Sequence, residues 1–284
     1  MESHKETLVE SRGIIYIATG SKFVEEALIS LNSVKTHMPD VPVSLFSDAE
    51  ELVASPPAGV DSVILLESVT RSCRDKIRPL ANSPYDKTLF LDTDTFLCRP
   101  VYDLFEMLDR FDIALAQAPD RYQYDLPDLP DCFTELNSGV IAYRSTPAVT
   151  DLFERWEETY NRMLGQDDDS YRDQHSLREA LYRSNVQFFV LPPEYNFRTI
   201  CPNFAGNHCS VKIIHGRHAN LEKVASRLNS SEEVRVFLIS PFRIFSPEIN
   251  YYQSIFETVA NSTFQMLPAG LRDWLSGIRK RFKS

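Results

Sequence analysis

The chain has 284 residues, 43% of them hydrophobic and 11% aromatic, so it can bury a large core as one big domain or two small ones. Its formal charge of −10 argues against non-specific nucleic-acid binding, which relies on a basic surface that neutralises phosphates. The cysteines are odd in number and widely spread, which indicates a reducing compartment rather than a disulfide framework.

Both ends of the chain bear on localisation. The first residues lack the apolar region of a signal peptide, and no apolar run approaches the ~20 residues that cross a bilayer, so we predict a cytoplasmic protein. Residues 271–284 carry a net charge of +4 against −14 for the remainder. If this tail is helical, its apolar residues share one face, which fits either packing on the core or peripheral contact with the cytoplasmic face of an anionic membrane.

Predicted strands and helices alternate along most of the chain. In chain order they are strand 13–20, helix 21–40, strands 41–48 and 61–67, helix 70–80, strand 88–92, helix 101–110, strands 111–120 and 136–144, helices 146–164 and 173–184, and strands 186–192 and 211–215. Such βαβ units predict an α/β fold with a mostly parallel sheet flanked by helices. The polar segment 1–12 precedes this domain (13–230), and we expect 231–284 to be a small, mostly helical extension.

Two aspartates follow the strand "TLFLD" with one residue between them. In an extended chain, residues i and i+2 project to the same side, so Asp92 and Asp94 aim their carboxylates together while Thr93 points away. Open α/β sheets bind ligands beyond the carboxyl ends of their strands, which is where this pair is expected. Two converging negative charges favour a divalent cation, and hard oxygen ligands suit Mn²⁺ or Mg²⁺ bound with substrate phosphates.

Other uses of the pair are weighed against this one. Helix capping fails on distance, because the aspartates lie six to eight residues before Pro100, the predicted first residue of the next helix. A calcium loop lacks its glycine, since Leu97 stands there. A phosphatase of the haloacid dehalogenase type, with a nucleophilic Asp92, stays open, although in that class the pair normally opens the chain. A plain structural use also stays open.

The ordered set of motifs resembles a known family, the glycosyltransferases of the GT-A fold, and among them the glycogenin-like and galactinol-synthase-like retaining enzymes. The resemblance runs from about Gly13 to His218. It rests on "DKIRPLANSPYDKTLFLDTDTFLCRPVYDLF", "APD", "PDCF", "NSGV", "DQ", "LPPEYNFR" and "IIHG", which occur in the family's order.

The resemblance implies a role for each matching residue. It implies that Asp92, Asp94 and His215 hold Mn²⁺ (or Mg²⁺), and that Asp173 and Gln174 lie by the anomeric carbon and the acceptor as catalytic residues. It implies a donor site that includes the metal ligands and the following residues: Thr19, Gly20, Lys76, Thr93, Asp120, Asn137, Ser138, Gly139 and Gly216. Within that site, Lys76 would add a cation, and Asp120 and Asn137 would bond sugar hydroxyls.

The resemblance also implies partners and a mechanism. The donor is expected to be a nucleotide-diphosphate sugar, with a UDP-sugar favoured, and the acceptor a glycan, a lipid-linked or a small-molecule hydroxyl. Transfer is expected to be retaining, with the leaving phosphate oxygen deprotonating the acceptor; with inversion, Asp173 becomes the general base. A binding protein without turnover is the competing function, and a homodimer is left open.

The sequence departs from the family at the diphosphate. Where the family has a lysine that grips this group, the chain reads "HGRHANLEK", and Arg217 or Lys212 is the available substitute. A zinc cluster is an alternative use of the histidines. Its ligands would be Cys201, His208, Cys209, His215 and His218, whose spacing matches no common zinc pattern.

Overall fold

The structure is a computed structural model that describes residues 10–119, 126, 128–164, 173–238 and 243–245. Its strands are β1 (Arg12–Ala18), β2 (Val43–Ser47), β3 (Ser62–Leu65), β4 (Lys87–Leu91), β5 (Thr95–Leu97), β6 (Ile113–Gln117), β7 (Leu136–Arg144), β8 (Phe188–Leu191), β9 (Phe197–Arg198), β10 (Asn203–Ala205), β11 (Ile213–His215), β12 (Arg235–Leu238) and β13 (Arg243–Phe245). Its helices are α1 (Ser21–His37), α2 (Glu50–Ala54), α3 (Ile77–Leu80), α4 (Asp103–Met107), α5 (Pro147–Leu164), α6 (Asp173–Tyr182) and α7 (Leu221–Leu228). Two 3-10 turns, Cys73–Lys76 and Pro193–Tyr195, precede α3 and β9.

The main sheet has seven strands in the order β3-β2-β1-β4-β7-β6-β8. Strand β7 is antiparallel to both of its neighbours, and the other pairs are parallel. The predicted α/β fold with a mostly parallel sheet is therefore confirmed. Because β7 runs against β4, with Val140 opposite Leu91, the first residues of β7 lie at the edge where β4 ends.

Helices cover both faces of this sheet, because alternate residues of each strand enter two different cores. Ile14 and Leu89 pack in the core that α1 and α4 share. Ile15 and Phe90 pack in the opposite core, which α3, α5 and α6 complete around Trp156. Strands that are buried on both faces consist of nearly continuous apolar residues, which is the pattern that made them recognisable in the sequence.

A small second sheet positions the end of β11. Its order is β5-β11-β9, with β11 antiparallel to β5 and parallel to β9. His215 lies opposite Thr95 in this pairing, directly beyond the aspartate pair. Strand β11 was predicted, whereas β5 and β9 are too short for a periodic pattern to reveal them.

Several predicted boundaries differ from the structure. Helix α1 ends at His37 rather than at residue 40, and its N-cap is Gly20, so no side chain caps the start of the helix. Helix α4 begins at Asp103 rather than at Pro100. Beyond residue 230, where we expected helix, β12 and β13 join β10 in a third sheet. Residues 246–284, including the basic tail 271–284, lie outside the described residues.

Candidate active site

The aspartate pair lies at the turn that follows β4. The backbone N–H of Asp92 donates to the carbonyl of Gly139 at 2.8 Å, and the N–H of Thr95 donates to the carbonyl of Asp92 at 3.2 Å. Between them, the Thr93 hydroxyl donates to Glu26 at 3.0 Å. These bonds hold the turn with both carboxylates on one side, as predicted from their spacing.

His215 completes a group of three side chains. Its Nε2 lies 3.5 Å from Asp92 Oδ2 and 3.3 Å from Asp94 Oδ1, and one ligand atom from each residue lies within 4.8 Å of the others. Among the described residues, this is the one group of three or more His, Cys, Asp or Glu side chains that meets this criterion. The alternative zinc cluster of Cys201, His208, Cys209, His215 and His218 is not formed among these residues.

The chemistry of this group fits a divalent cation. Two carboxylate oxygens and one imidazole nitrogen lie within 4.8 Å of one another; the carboxylates are hard ligands that suit Mn²⁺ or Mg²⁺, and the nitrogen is a borderline ligand. Burial raises the pKa of Asp94, but His215, Arg217 and Arg198 outweigh that effect, so the pKa lies below its ordinary value and the carboxylate stays charged. The neighbouring Gly216 donates its N–H to the Asp94 carbonyl at 2.9 Å, at a positive φ of 132° that suits glycine.

A second charged centre surrounds Lys76, at the end of the first 3-10 turn. Its ammonium lies 2.7 Å from Asp173 Oδ2 and 3.5 Å from Asp92 Oδ1, and it donates to the Ser138 hydroxyl at 3.1 Å. Ser138 in turn donates to Asp173. Burial lowers the pKa of Lys76, but the two carboxylates outweigh burial and raise it. Lys76 therefore remains a cation between the metal ligands and α6.

Asp173 is the first residue of α6, where the helix dipole favours an anion. Burial raises the pKa of its carboxyl, but Lys76 and Ser138 outweigh burial, and the pKa lies below its ordinary value. The main chain is also held, because the Trp156 indole donates to the Asp173 carbonyl at 2.9 Å. Asp173 is thus a fixed carboxylate that is already paired.

Asn137 and Gln174 lie side by side. The Asn137 amide donates to Gln174 Oε1 at 2.5 Å, and Asn137 Oδ1 accepts from the Gly139 N–H at 3.0 Å and from Asn196 at 2.7 Å. Both residues border the same cavity as Ser138. The structure places them beside the candidate metal ligands.

Gly139 lies directly against two of the candidate metal ligands. A Cβ built on it would lie 2.0 Å from His215 Cε1 and 2.6 Å from Asp92 Oδ2. We expect Gly139→Ala to displace the side chains of His215 and Asp92, because the added methyl group would overlap atoms of both. The variant should lose most of its affinity for Mn²⁺, which is measured by the electron paramagnetic resonance of the free ion. Its free energy of unfolding should fall by about 1–3 kcal/mol.

Gly206→Ala is the matched control for this prediction. A Cβ on Gly206 would have its nearest contact at 3.2 Å, with the Glu194 side chain, away from the metal ligands. This variant should bind Mn²⁺ as the parent does. An unchanged Mn²⁺ affinity in Gly139→Ala would contradict the proposed close packing.

The site opens into a cavity of about 620 Å³. The predicted residues that line it are Thr19, Lys76, Asp92, Thr93, Asp94, Asn137, Ser138, Asp173, Gln174 and His215. Gly20 lies beside this lining, and its N–H donates to Asp48 at 2.7 Å. Asp120 lies outside the described residues.

Three arginines complete the cavity wall, of which the sequence pointed only to Arg217. Arg71 precedes the first 3-10 turn and has a positive φ of 56°, and Arg198 is the last residue of "LPPEYNFR", two residues after Asn196. Arg217 lies 3.7 Å from Asp94 and forms a two-point pair with Glu26 at 2.6 and 3.0 Å. Lys212, the other predicted substitute for the diphosphate lysine, is not among the lining residues.

Two comparisons with known proteins agree with this geometry. Residues 87–220, just under half of the chain, match a family model described as nucleotide-diphospho-sugar transferase. This partial match, together with the arrangement of the main sheet, confirms the predicted GT-A fold. No curated protein matches the sequence.

Among solved structures, the chain is similar to the crystal structure of the glycosyltransferase GlyE from Streptococcus pneumoniae TIGR4. The TM-score is 0.52 at 16% identity, over 67% of this chain and 47% of GlyE. The apo form of GlyE gives a TM-score of 0.48 at 14% identity, over 66% of this chain and 47% of that one. The chain thus spans about half the length of the structure that it resembles.

No helix within the described residues has the length and apolar character that crossing a membrane requires.

Proposed function

We propose that the protein is a metal-dependent glycosyltransferase that moves a hexose from a nucleotide-diphosphate sugar, with a UDP-sugar favoured, to a hydroxyl acceptor. The observation that carries the proposal is the convergence of Asp92, Asp94 and His215 at the wall of a cavity that also contains the Lys76–Asp173 pair. A divalent cation held by these three residues would act as a Lewis acid that neutralises the diphosphate of the donor.

The charges around the cavity support this proposal. The charged side chains other than histidine that line it are four carboxylates (Asp75, Asp92, Asp94 and Asp173) and four cations (Arg71, Lys76, Arg198 and Arg217). These charges cancel, so a divalent cation would leave an excess of two positive charges. A sugar diphosphate ester of a nucleoside carries two negative charges, which makes it a matched ligand for the loaded site.

The surroundings of Asp173 favour retention over inversion. A general base works best when its pKa lies near the operating pH and its carboxylate can reach the acceptor hydroxyl. The carboxylate of Asp173 is instead paired with Lys76 and accepts from Ser138, and its pKa is lowered. The acceptor proton is then taken by the leaving phosphate oxygen, while Asp173 stabilises positive charge on the sugar and Lys76 stabilises the departing phosphate.

Several finer features of the proposal rest on the sequence motifs. The order of "NSGV", "DQ", "LPPEYNFR" and "IIHG" supports a glycogenin-like or galactinol-synthase-like enzyme. We propose a cytoplasmic location, an acceptor among glycans, lipid-linked or small-molecule hydroxyls, and a domain over residues 13–230. Membrane contact through 271–284 and a homodimer belong to the same set of proposals.

The proposal is tested by incubating the purified protein with Mn²⁺ and single nucleotide sugars, namely UDP-glucose, UDP-galactose, UDP-N-acetylglucosamine and GDP-mannose. We expect one UDP-sugar to release UDP in a coupled assay, with release lost when EDTA is added. Proton NMR of the released sugar then reads the anomeric configuration. Binding of a nucleotide sugar without any release would instead identify the protein as a sugar-binding protein.

A further inference from the structure

Three amide side chains, of which those of Asn196 and Asn137 are buried, connect the metal ligand His215 to the opposite side of the site. His215 Nδ1 lies 2.8 Å from Asn196 Oδ1, and Asn196 Nδ2 donates to Asn137 Oδ1 at 2.7 Å. Asn137 Nδ2 donates to Gln174 Oε1 at 2.5 Å, and Gln174 Nε2 lies 3.5 Å from Glu135 Oε2. We call His215, Asn196, Asn137, Gln174 and Glu135 the amide relay.

The backbone fixes the direction of the amide relay. The N–H of Gly139 can only donate, and it points at Asn137 at 3.0 Å, so the atom that it meets must be the oxygen Oδ1. The group of Asn196 that meets the same oxygen must then be its NH₂, which turns Asn196 Oδ1 towards His215. An oxygen at that position requires a proton on His215 Nδ1.

The far end of the amide relay gives the same direction. Glu135 is 1% exposed, and as a carboxylate it accepts hydrogen bonds and donates none. It meets the NH₂ group of Gln174 and also the ring of His175. Gln174 therefore turns its oxygen towards Asn137, in agreement with the direction set by Gly139.

We propose that Asn196 is a positioning residue for the metal site, and that the amide relay holds His215 with its proton on Nδ1. Nε2, which faces Asp92 and Asp94, is then the only ring nitrogen that can coordinate a cation. Partners of this kind around metal-binding histidines orient the ring and select its tautomer. The inference rests on the proposed function, because it assumes that the site takes a divalent cation.

Asn137 has a structural role in the amide relay as well as a place in the expected donor site. Its oxygen accepts from both Gly139 and Asn196, which fills both lone pairs, and one of its amide protons is given to Gln174. One amide proton is left for a donor sugar. Asn137 thus supports the ligand His215 in addition to any contact with the donor.

The first test measures the affinity for Mn²⁺ in the presence of UDP, from the electron paramagnetic resonance of the free ion. We expect Asn196→Ala to weaken binding about 10- to 100-fold, the usual effect of losing such a partner. Asn196→Asp keeps an acceptor for the Nδ1 proton but loses the N–H that Asn137 Oδ1 accepts, so it should recover part of the affinity. A merely structural role for Asn196 would not give this recovery.

Asn203→Ala is the matched control. Asn203 is buried in strand β10, and its Oδ1 accepts the adjacent N–H of Phe204, at 2.9 Å. This variant should bind Mn²⁺ as the parent does. If the parent binds Mn²⁺ and Asn196→Ala binds it equally well, the amide relay is wrong but the proposed function stands. If the parent binds no Mn²⁺, both the proposed function and the amide relay are wrong.

A second measurement needs no variant that could fail to fold. Long-range proton–nitrogen correlation NMR on the ¹⁵N-labelled, metal-free parent identifies which ring nitrogen of His215 carries a proton, with the signals assigned by their loss in His215→Ala. We expect a proton on Nδ1 that exchanges slowly with water, because Asn196 is only 2% exposed. A His215 ring without a proton on Nδ1 overturns the proposal.

Discussion

Asp92→Asn is expected to lower the release of UDP about a thousandfold or more while the protein stays folded. The substitution preserves the size of the side chain and removes one of the two carboxylates that face His215. A metal ion supplies several kcal/mol of charge stabilisation in reactions of this type, and each ~1.4 kcal/mol corresponds to a factor of ten in rate. The rise in melting temperature that Mn²⁺ and UDP cause in the parent should disappear with the activity.

Asp151→Asn is the control for this substitution. Asp151 is exposed on α5, far along the chain from the metal ligands, and its loss should leave both the UDP release and the Mn²⁺-dependent rise in melting temperature unchanged. If Asp92→Asn retained its turnover of the donor, the assignment of this carboxylate to the metal would be wrong.

Lys76→Met is expected to have the largest effect on stability. Lys76 lies between Asp173 and Asp92, and its side chain is 14% exposed against 9% for that of Asp173. Removing one partner of a buried ion pair typically costs about 3–5 kcal/mol, because the remaining charge is left without compensation. Urea unfolding should therefore show a loss of this size, and the release of UDP should fall as well.

A double variant separates the two effects of Lys76. In Lys76→Met with Asp173→Asn, no unpaired charge remains at Asp173, so we expect part of the stability to return while the activity stays low. Lys35→Met removes a more exposed partner of Asp61, a pair at 3.1 Å, and should cost about 1 kcal/mol or less. If Lys76→Met and Lys35→Met lowered the free energy of unfolding equally, the Lys76–Asp173 pair would contribute no more to stability than an exposed ion pair.

Much of the fold could be predicted from the sequence, because its long elements carry strong periodic patterns. Strands β1 and β4 are buried on both faces, and α1 repeats Val24, Ala27, Leu31 and Val34 at helical spacing. The short strands β5 and β9 carry no such pattern. They form only because β11 pairs between them, and that long-range contact cannot be read from a local window.

Some residues of the candidate site could likewise be predicted from the sequence, and others could not. Asp92 and Asp94 could be predicted from their spacing and their place after a strand, and His215 from a motif in the family's order. Asn196 lies in "LPPEYNFR", yet a buried asparagine has no pattern of its own, and its role emerges only when β9 lies beside β11. Phe23 lies on α1, where it is 39% exposed and borders the cavity, although an aromatic residue in a helix is more often part of a core.

The antiparallel direction of β7 determines which of its residues lies beside the candidate metal site. Its pairing with β4 sets Val140 opposite Leu91 and thereby aligns the bare backbone of Gly139 with the carboxylate of Asp92. A slip of one residue between these strands would exchange inward and outward side chains and would present Ser138 or Val140 at that place. We therefore expect a protein with one residue inserted near position 139 to keep its buried apolar strands and to lose the space that a divalent cation needs between Asp92 and His215.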